Sequence, residues 1–579
     1  MEYRGSVASP GIAIGKAFVF TSYAPLVSRR ILLPAEVEEE LSVLDAACFR
    51  AREELTAIIS RLKSSDPEKA DIFSAHLAIL QDEELLGEIR EAVRGKMHTV
   101  SWAIRQTYDE FSALLREAED AHLRERVSDM DDVCARLLRC AEGVPETTLA
   151  DLHEPSIVVA VELFPSDTVL MDPSKILGII TEHGGVTSHT AIIAKSYGIP
   201  ALLGVKAATR LLPTGTDLVL DALTGKVLTG ASEETLKSYE VLRDRESLRR
   251  TDAAAYLFRP AVTKDGTRID VEANIGSASP SALEVSNYTD GVGLFRTEFL
   301  YMEGNQLPDE ETQYSAYRAA LEVYGNRPVV LRTLDIGGDK TLSYMELPHE
   351  DNPFLGKRAL RLCLDEPEIF KSQLRAALRA SVHGNLWMMF PMVGSLDDLR
   401  AAKKAVAETK AELDREGVAY RPDFKLGVMI EIPSAALTAD LIAREVDFAS
   451  IGTNDLIQYL TAADRLNSEV SPYYQSFHPA VFRTIKTVAD AFRANGKDLC
   501  VCGELGGNPS AAVAFIGMGL RRLSMSSANV AGIKQVIANI TVAEAEEVAG
   551  SILSMSTAAE IEAELNQFTS KKIGGDSGN

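Results

Sequence analysis

Arginines, carboxylates and a thiol stand at the ends of apolar, β-prone runs throughout the second half of the chain. In order they are Asn274, Arg296 and Glu298, Arg332 and Asp335, Met392, Glu431, Asn454 and Asp455, Cys502 with Glu504, and Ser524. Arg358, Arg361 and Arg465 lie in the segments between such runs. A guanidinium fork binds phosphate through two parallel hydrogen bonds. Two carboxylates, Glu431 and Asp455, suit a Mg²⁺ ion held by few protein oxygens together with oxygens of a substrate. Structural salt bridges between the same arginines and acids are the alternative for any one residue. The recurrence of the whole set at run ends favours a shared anionic substrate.

A second constellation is the segment GGVTSHTAIIAK at 184–195. Glycines ahead of a helix start leave backbone N–H groups and a positive dipole end free to face an anion. Ser188 or Thr187 can cap that helix, and His189 would then stand beside an anion nest, where an imidazole can accept a phosphoryl group. A capping histidine on an ordinary helix fits the same residues. A third constellation surrounds His76 and the pair Glu83 and Glu84, in a stretch where acids far outnumber bases. An acidic rim beside apolar residues suits a basic protein partner, and a solvated helix face is the alternative.

These residues need elements to hold them. The second half alternates apolar strands with helical stretches, about eight strand–helix units in roughly 310 residues, which suits a (β/α)₈ barrel. The expected strands are 268–274, 291–295, 329–334, 386–392, 426–430, 448–452, 499–502 and 522–525. In such a barrel the residues just past each strand's C-terminal end form one face. Between 34 and 141 glycine nearly vanishes, and Phe73, Leu77 and Leu80 recur at helical spacing. Strands and turns mix between 156 and 230, and 233–250 is charged and helical. The expected organisation is a small α/β domain carrying the histidine segment (residues 1–24 and 146–230) with an all-helical subdomain (25–145) inserted in it. A helical linker (231–260), a (β/α)₈ barrel (261–573) and a disordered tail (574–579) follow.

The chain has 579 residues, 84 acids and 60 bases, for a net charge of −24. Such a surface is a poor partner for nucleic acid or anionic lipid. Six sparse cysteines form no CxxC zinc pattern and no disulfide scaffold, and no apolar run is long enough to span a bilayer. A cytoplasmic protein without membrane insertion is expected.

The motifs GGVTSHTAIIAK (184–195), DGVGLFRTEFLY (290–301), LRTLDIGGDK (331–340), NPFLGKRALR (352–361), SIGTNDLIQY (450–459) and CGELGGN (502–508) resemble, in order and spacing, the enzyme I family. That family is the phosphoenolpyruvate–protein phosphotransferases of the bacterial sugar phosphotransferase system. The resemblance runs from Ser9-Pro-Gly-Ile-Ala to about Phe568. It implies that His189 takes the phosphoryl group of phosphoenolpyruvate through Nε2 and passes it to the phosphocarrier HPr. It further implies that Thr168 hydrogen-bonds this histidine, and that Arg296, Arg332, Arg358, Asn454, Asp455 and Arg465 hold substrate. Glu431 and Asp455 would bind Mg²⁺, and Cys502 would protonate carbon 3 of the enolate. The helical subdomain would dock HPr around His76, Glu83 and Glu84, and the chain would dimerise through its barrel. Val186, Lys195 and Leu466 depart from the family pattern without removing a residue of chemical role. Pyruvate phosphate dikinase and phosphoenolpyruvate synthase share both the histidine domain and the barrel. They need a nucleotide-binding domain for which 25–145, with no glycine-rich phosphate loop, leaves no room. A non-catalytic regulator would be expected to lack His189, Cys502 or a metal ligand, and all are present.

Overall fold

The computed structural model describes the chain except residues 21–26, 28, 63–66, 118–120, 145–148, 150–151, 153, 164–166, 168–170, 185–188, 303–305, 339–341, 343, 346–349 and 574–579. The chain divides into two compact units, Met1–Leu248 and Arg249–Asn579.

The first unit contains an eight-stranded sheet. Its strands are β1 (Glu2–Arg4), β2 (Ser6–Ser9), β3 (Ile12–Phe20), β4 (Ser156–Ala160), β5 (Ile176–Thr181), β6 (Ala201–Leu203), β7 (Asp217–Asp221) and β8 (Lys226–Thr229). They run in the order β1-β8-β7-β3-β4-β5-β6-β2. β3 to β6 pair in parallel, while β7, β8, β1 and β2 pair antiparallel. Gly5 alone separates β1 from β2. A Cβ there would lie 2.6 Å from Val205 and 2.8 Å from the Leu203 carbonyl, so only glycine lets the strand cross between the two edges.

Helices Val37–Leu62, Pro67–Leu80, Glu83–Arg94, Val100–Glu117 and Ala121–Glu142 are inserted between β3 and β4. They bury their own core. Leu44, Ala47, Ala51 and Leu55, on one face of the first helix, pack with Phe73, Ile89, Tyr108 and Leu137. Phe73 and Leu80 are buried and Leu77 is half-buried, as their spacing predicts.

The second unit is a closed barrel of eight parallel strands: β9 (Asp270–Ile275), β10 (Val292–Arg296), β11 (Pro328–Arg332), β12 (Asn385–Phe390), β13 (Lys425–Ile430), β14 (Phe448–Ile451), β15 (Asp498–Val501) and β16 (Arg522–Met525). Each falls within two residues of its expected place. β12 stops at Phe390 rather than Met392 because Pro391 has no N–H for the ladder and Met392 turns to φ 55.

Strand periodicity sorts the side chains. Val271, Val329, Leu331, Leu386, Val428, Ile430 and Val501 face outward into the core shared with the surrounding helices. The alternate residues Leu294, Val330, Trp387, Met389, Met429, Phe448 and Cys502 form a separate cluster inside the barrel. Toward the N-terminal end, Arg522 pairs with fully buried Glu272 at 2.6 Å and lies 4.2 Å over the Trp387 ring. Trp387 packs on Phe448 with ring centroids 4.8 Å apart.

Candidate active site

Inward-facing parity also carries the chemistry. Asn274 and Arg296 lie at strand ends, Arg332 ends β11, and Glu431 and Cys502 follow β13 and β15 directly. Arg332, Arg358 and Arg465 are paired with acids. Arg332, 5% exposed, donates through Nη2 to Glu298 and lies 2.9 Å from Asp335 through Nη1. Arg358 is 1% exposed. It reaches Asp335 at 2.9 Å through Nε and Asp455 at 3.1 Å through Nη1. Arg465 lies 3.5 Å from Asp455, and Arg358 and Arg465 both lie over the Phe354 ring. Asp335 therefore bridges two arginines, and Asp455 bridges two. Burial alone would lower the Arg332 and Arg358 pKa values. The facing carboxylates, Glu298 and Asp335 for Arg332 and Asp335 and Asp455 for Arg358, more than reverse it.

The backbone is bent to place these groups. Ala359 takes φ 54 and ψ −121, a conformation rare outside glycine, and its N–H bonds Ile336 at 2.9 Å. Gly337, at φ 103, lets the Arg358 backbone approach; a Cβ there would lie 2.9 Å from the Arg358 Cα. Met392, also at positive φ, aims its N–H at Glu431 Oε1, 2.7 Å away.

Glu431 Oε2 is buried and has no hydrogen-bond partner among the described residues. Burial, then the charges of Asp455 and Asp335, push its carboxyl up to about 7. Asp455 sits in the first turn of the helix Thr453–Thr461. An orphaned carboxylate oxygen near a second carboxylate fits a hard divalent cation, which would restore the charge that burial opposes. Among the described residues no group of three or more His, Cys, Asp or Glu could hold a metal unaided.

Asn454 Oδ1 accepts the Glu504 N–H at 3.0 Å, which leaves its amide NH₂ as a donor. Cys502 is 1% exposed, with Sγ 3.7 Å from the Ile451 carbonyl, and burial pushes its thiol up to about 11.

In the first unit, His189 opens the helix His189–Tyr197, where the structure describes its backbone. Thr181 ends β5 and donates its hydroxyl to the His183 carbonyl at 2.6 Å. Thr168 and the loop residues Thr187 and Ser188 lie outside the described residues, as does the 574–579 tail.

Glu83 and Glu84 are exposed in the first turn of Glu83–Arg94, whose Asp82 cap accepts from the Glu84 and Leu85 N–H groups. His76 corrects the expectation placed on it. It is 1% exposed, with Nε2 3.2 Å from Asp129 and Nδ1 3.7 Å from Asp132. A ring so enclosed holds the helix Pro67–Leu80 against Ala121–Glu142 and offers no face to a docking protein.

Sequence reading gave Glu298 and Asp335 a place at strand ends but no role, and they prove to be the counter-charges of Arg332. Their signal is local: Asp335 follows Arg332 by three residues, and Glu298 follows Arg296 by two.

Three family models match the chain: the PEP-utilising enzyme PEP-binding domain over 251–542, the N-terminal domain over 4–126 and the mobile domain over 152–225. A Bacillus subtilis protein named phosphoenolpyruvate-protein phosphotransferase is 42% identical over 97% of this chain and 98% of its own. A Geobacillus stearothermophilus protein of the same name is 41% identical over 96% of each chain. One from Haemophilus influenzae is 42% identical over 97% of this chain and 98% of its own.

Proposed function

The chain belongs to the phosphoenolpyruvate-protein phosphotransferase family and is an enzyme of phosphoenolpyruvate-dependent phosphotransfer, and from that premise we propose how its residues divide the work. Arg296, Arg332, Arg358 and Arg465 hold the phosphate and carboxylate of phosphoenolpyruvate, with the Asn454 NH₂ as a further donor. Such transfer is mostly positioning and charge stabilisation, which buried guanidinium groups supply without reorganising.

Glu431 and Asp455 hold Mg²⁺, which when bound neutralises charge developing on the phosphoryl oxygens. His189 Nε2 attacks phosphorus; the bond from phosphorus to the oxygen on carbon 2 breaks, and its electrons leave as the enolate. The enolate pair at carbon 3 takes the proton of the Cys502 thiol, and pyruvate departs. The thiolate regains its proton from water. A thiol raised to about 11 stays protonated at neutral pH, as a donor must.

The phosphohistidine then passes its group to HPr, a basic partner docked near exposed Glu83 and Glu84; Thr168 supports the histidine. The enzyme works in the cytoplasm as a homodimer formed through the barrel. Leu437 and Leu441, exposed after β13, support that pairing, and no helix among the described residues is long and apolar enough to cross a membrane.

The observation that carries this reading is the strand-end cluster of charge-locked arginines around the orphaned Glu431 oxygen. Incubation with labelled phosphoenolpyruvate and Mg²⁺, without ATP, is expected to give an acid-labile, base-stable phosphoprotein. His189→Ala should give none while the barrel stays folded. Label retained in that variant would overturn the assignment.

A further inference from the structure

Ladder hydrogen bonds between β15 and β16 end at the pair Val501 and Leu523, one residue short of Cys502. The Cys502 N–H still bonds the Ile451 carbonyl of β14 at 3.1 Å. Its own carbonyl has passed the end of the ladder, and a buried carbonyl there needs another donor. Asn274 supplies it. From the end of β9 its Nδ2 reaches across β16 and donates to the Cys502 carbonyl at 2.9 Å.

The amide is itself oriented. The fully buried Ser524 hydroxyl donates to Asn274 Oδ1 at 2.6 Å. A carbonyl can only accept, so the NH₂ must face Cys502 and the oxygen must face Ser524. Gly293 of β10 makes room for that hydroxyl; a Cβ on it would lie 2.4 Å from Ser524 Oγ. Bonds from β14, β9 and β16, with room made by β10, thus fix one peptide, and that peptide carries the thiol.

We propose that Asn274, oriented by Ser524, is a positioning residue for proton delivery by Cys502. It fixes the Cys502 peptide so that the S–H meets one face of carbon 3. The inference rests on the assignment of Cys502 as the donor. In the step itself the S–H bond breaks, a C3–H bond forms from the enolate pair, the C2–O bond becomes a carbonyl, and a thiolate remains. Neither Asn274 nor Ser524 gains or loses a proton. With the clamp gone, the carbonyl turns and the thiol samples several directions, which lowers the fraction aligned for transfer.

The test uses the full chain with phosphoenolpyruvate, Mg²⁺ and HPr as the acceptor that frees the histidine for each further turnover. Asn274→Ala is expected to lower turnover by about tenfold or more while KM changes by less than about twofold. Ser524→Ala should act in the same direction by about threefold, since it removes only the support of the amide. In a Cys502→Ala background, adding Asn274→Ala should change turnover by less than about twofold, because the two residues act through one proton.

Phosphoenolpyruvate bearing tritium at one carbon-3 position, turned over in deuterated water, should give a methyl group of one handedness with the parent and a partly racemised one with Asn274→Ala. A role confined to folding would not alter handedness. If Asn274→Ala fails to fold, the Ser524→Ala measurements decide. Full additivity with Cys502→Ala, or unchanged handedness, overturns this inference alone. A Cys502→Ala enzyme that turns over at the parent rate overturns the donor assignment, and this inference with it.

Discussion

The acids of the barrel mouth and those of the helical subdomain are the same residue types in opposite surroundings. Glu298, Asp335 and Glu431 are each at most 1% exposed and Asp455 is 6% exposed. Glu83 and Glu84 stand in water at the start of an amphipathic helix. Two charges 4 Å apart interact by about 1 kcal/mol in water but by about 4 kcal/mol at an effective dielectric of about 20. The barrel acids can therefore fix guanidinium groups in place and, on the proposed reading, hold Mg²⁺. The helix acids are screened over about 8–10 Å and suit steering, which needs reach rather than geometry. Burial decides which task a carboxylate can perform.

Removing a buried counter-charge should separate the two regions most. Asp335→Ala leaves Arg332 and Arg358 short of a partner in low dielectric. It is expected to cost about 3–5 kcal/mol of barrel stability by denaturant titration, together with turnover. A cost below about 0.5 kcal/mol, typical of a surface site, would erase the distinction.

Cys502→Ser comes next, with turnover down about a hundredfold and KM little changed, because a hydroxyl of nearly the same size is a far weaker acid. The parent's turnover should show no thiol-linked loss between about pH 7 and pH 9, because burial holds that group near 11. A thiol-linked fall within that range would show that burial does not hold the group up.

The smallest effect belongs to the exposed acids. Glu83→Lys with Glu84→Lys should slow transfer to a basic carrier by a few-fold to about tenfold at low salt, and by little at about 1 M salt. Autophosphorylation and stability should hold to within about 0.5 kcal/mol. Equal loss at both steps would show that these acids do more than steer.

How far this division could be read in advance follows from which signals are local. A strand's two-residue period marks Asn274, Arg296, Arg332, Glu431 and Cys502 as one set, because each ends an apolar run on the inward parity. The barrel was legible for the same reason, with strand ends off by at most two residues, as at Pro391. Arg358 and Arg465 were visible as arginines, but their sharing of Asp455 joins residues about a hundred positions apart in one case. No periodicity reports that. His76 misled because a histidine among acids reads alike whether it faces water or, as here, is enclosed by Asp129 and Asp132 from another helix. Ala359 gave no signal at all, since nothing in its type announces a glycine-like backbone.

The interior of the barrel has a consequence for timing. Trp387, Phe448 and Met389 fill it, and the Glu272–Arg522 pair with Lys425, 3.9 Å over the Trp387 ring, closes its N-terminal end. Cys502 belongs to the C-terminal end of that packed filling, so among the described residues the thiol is approached from the side of the strand C-termini. On the proposed assignment, pyruvate lies on that side when the thiol has just given up its proton. Water that would restore the proton approaches from the same side. On the proposed assignment, recharging of the thiol waits for pyruvate to leave, and the enzyme keeps a strict order of traffic without any gate.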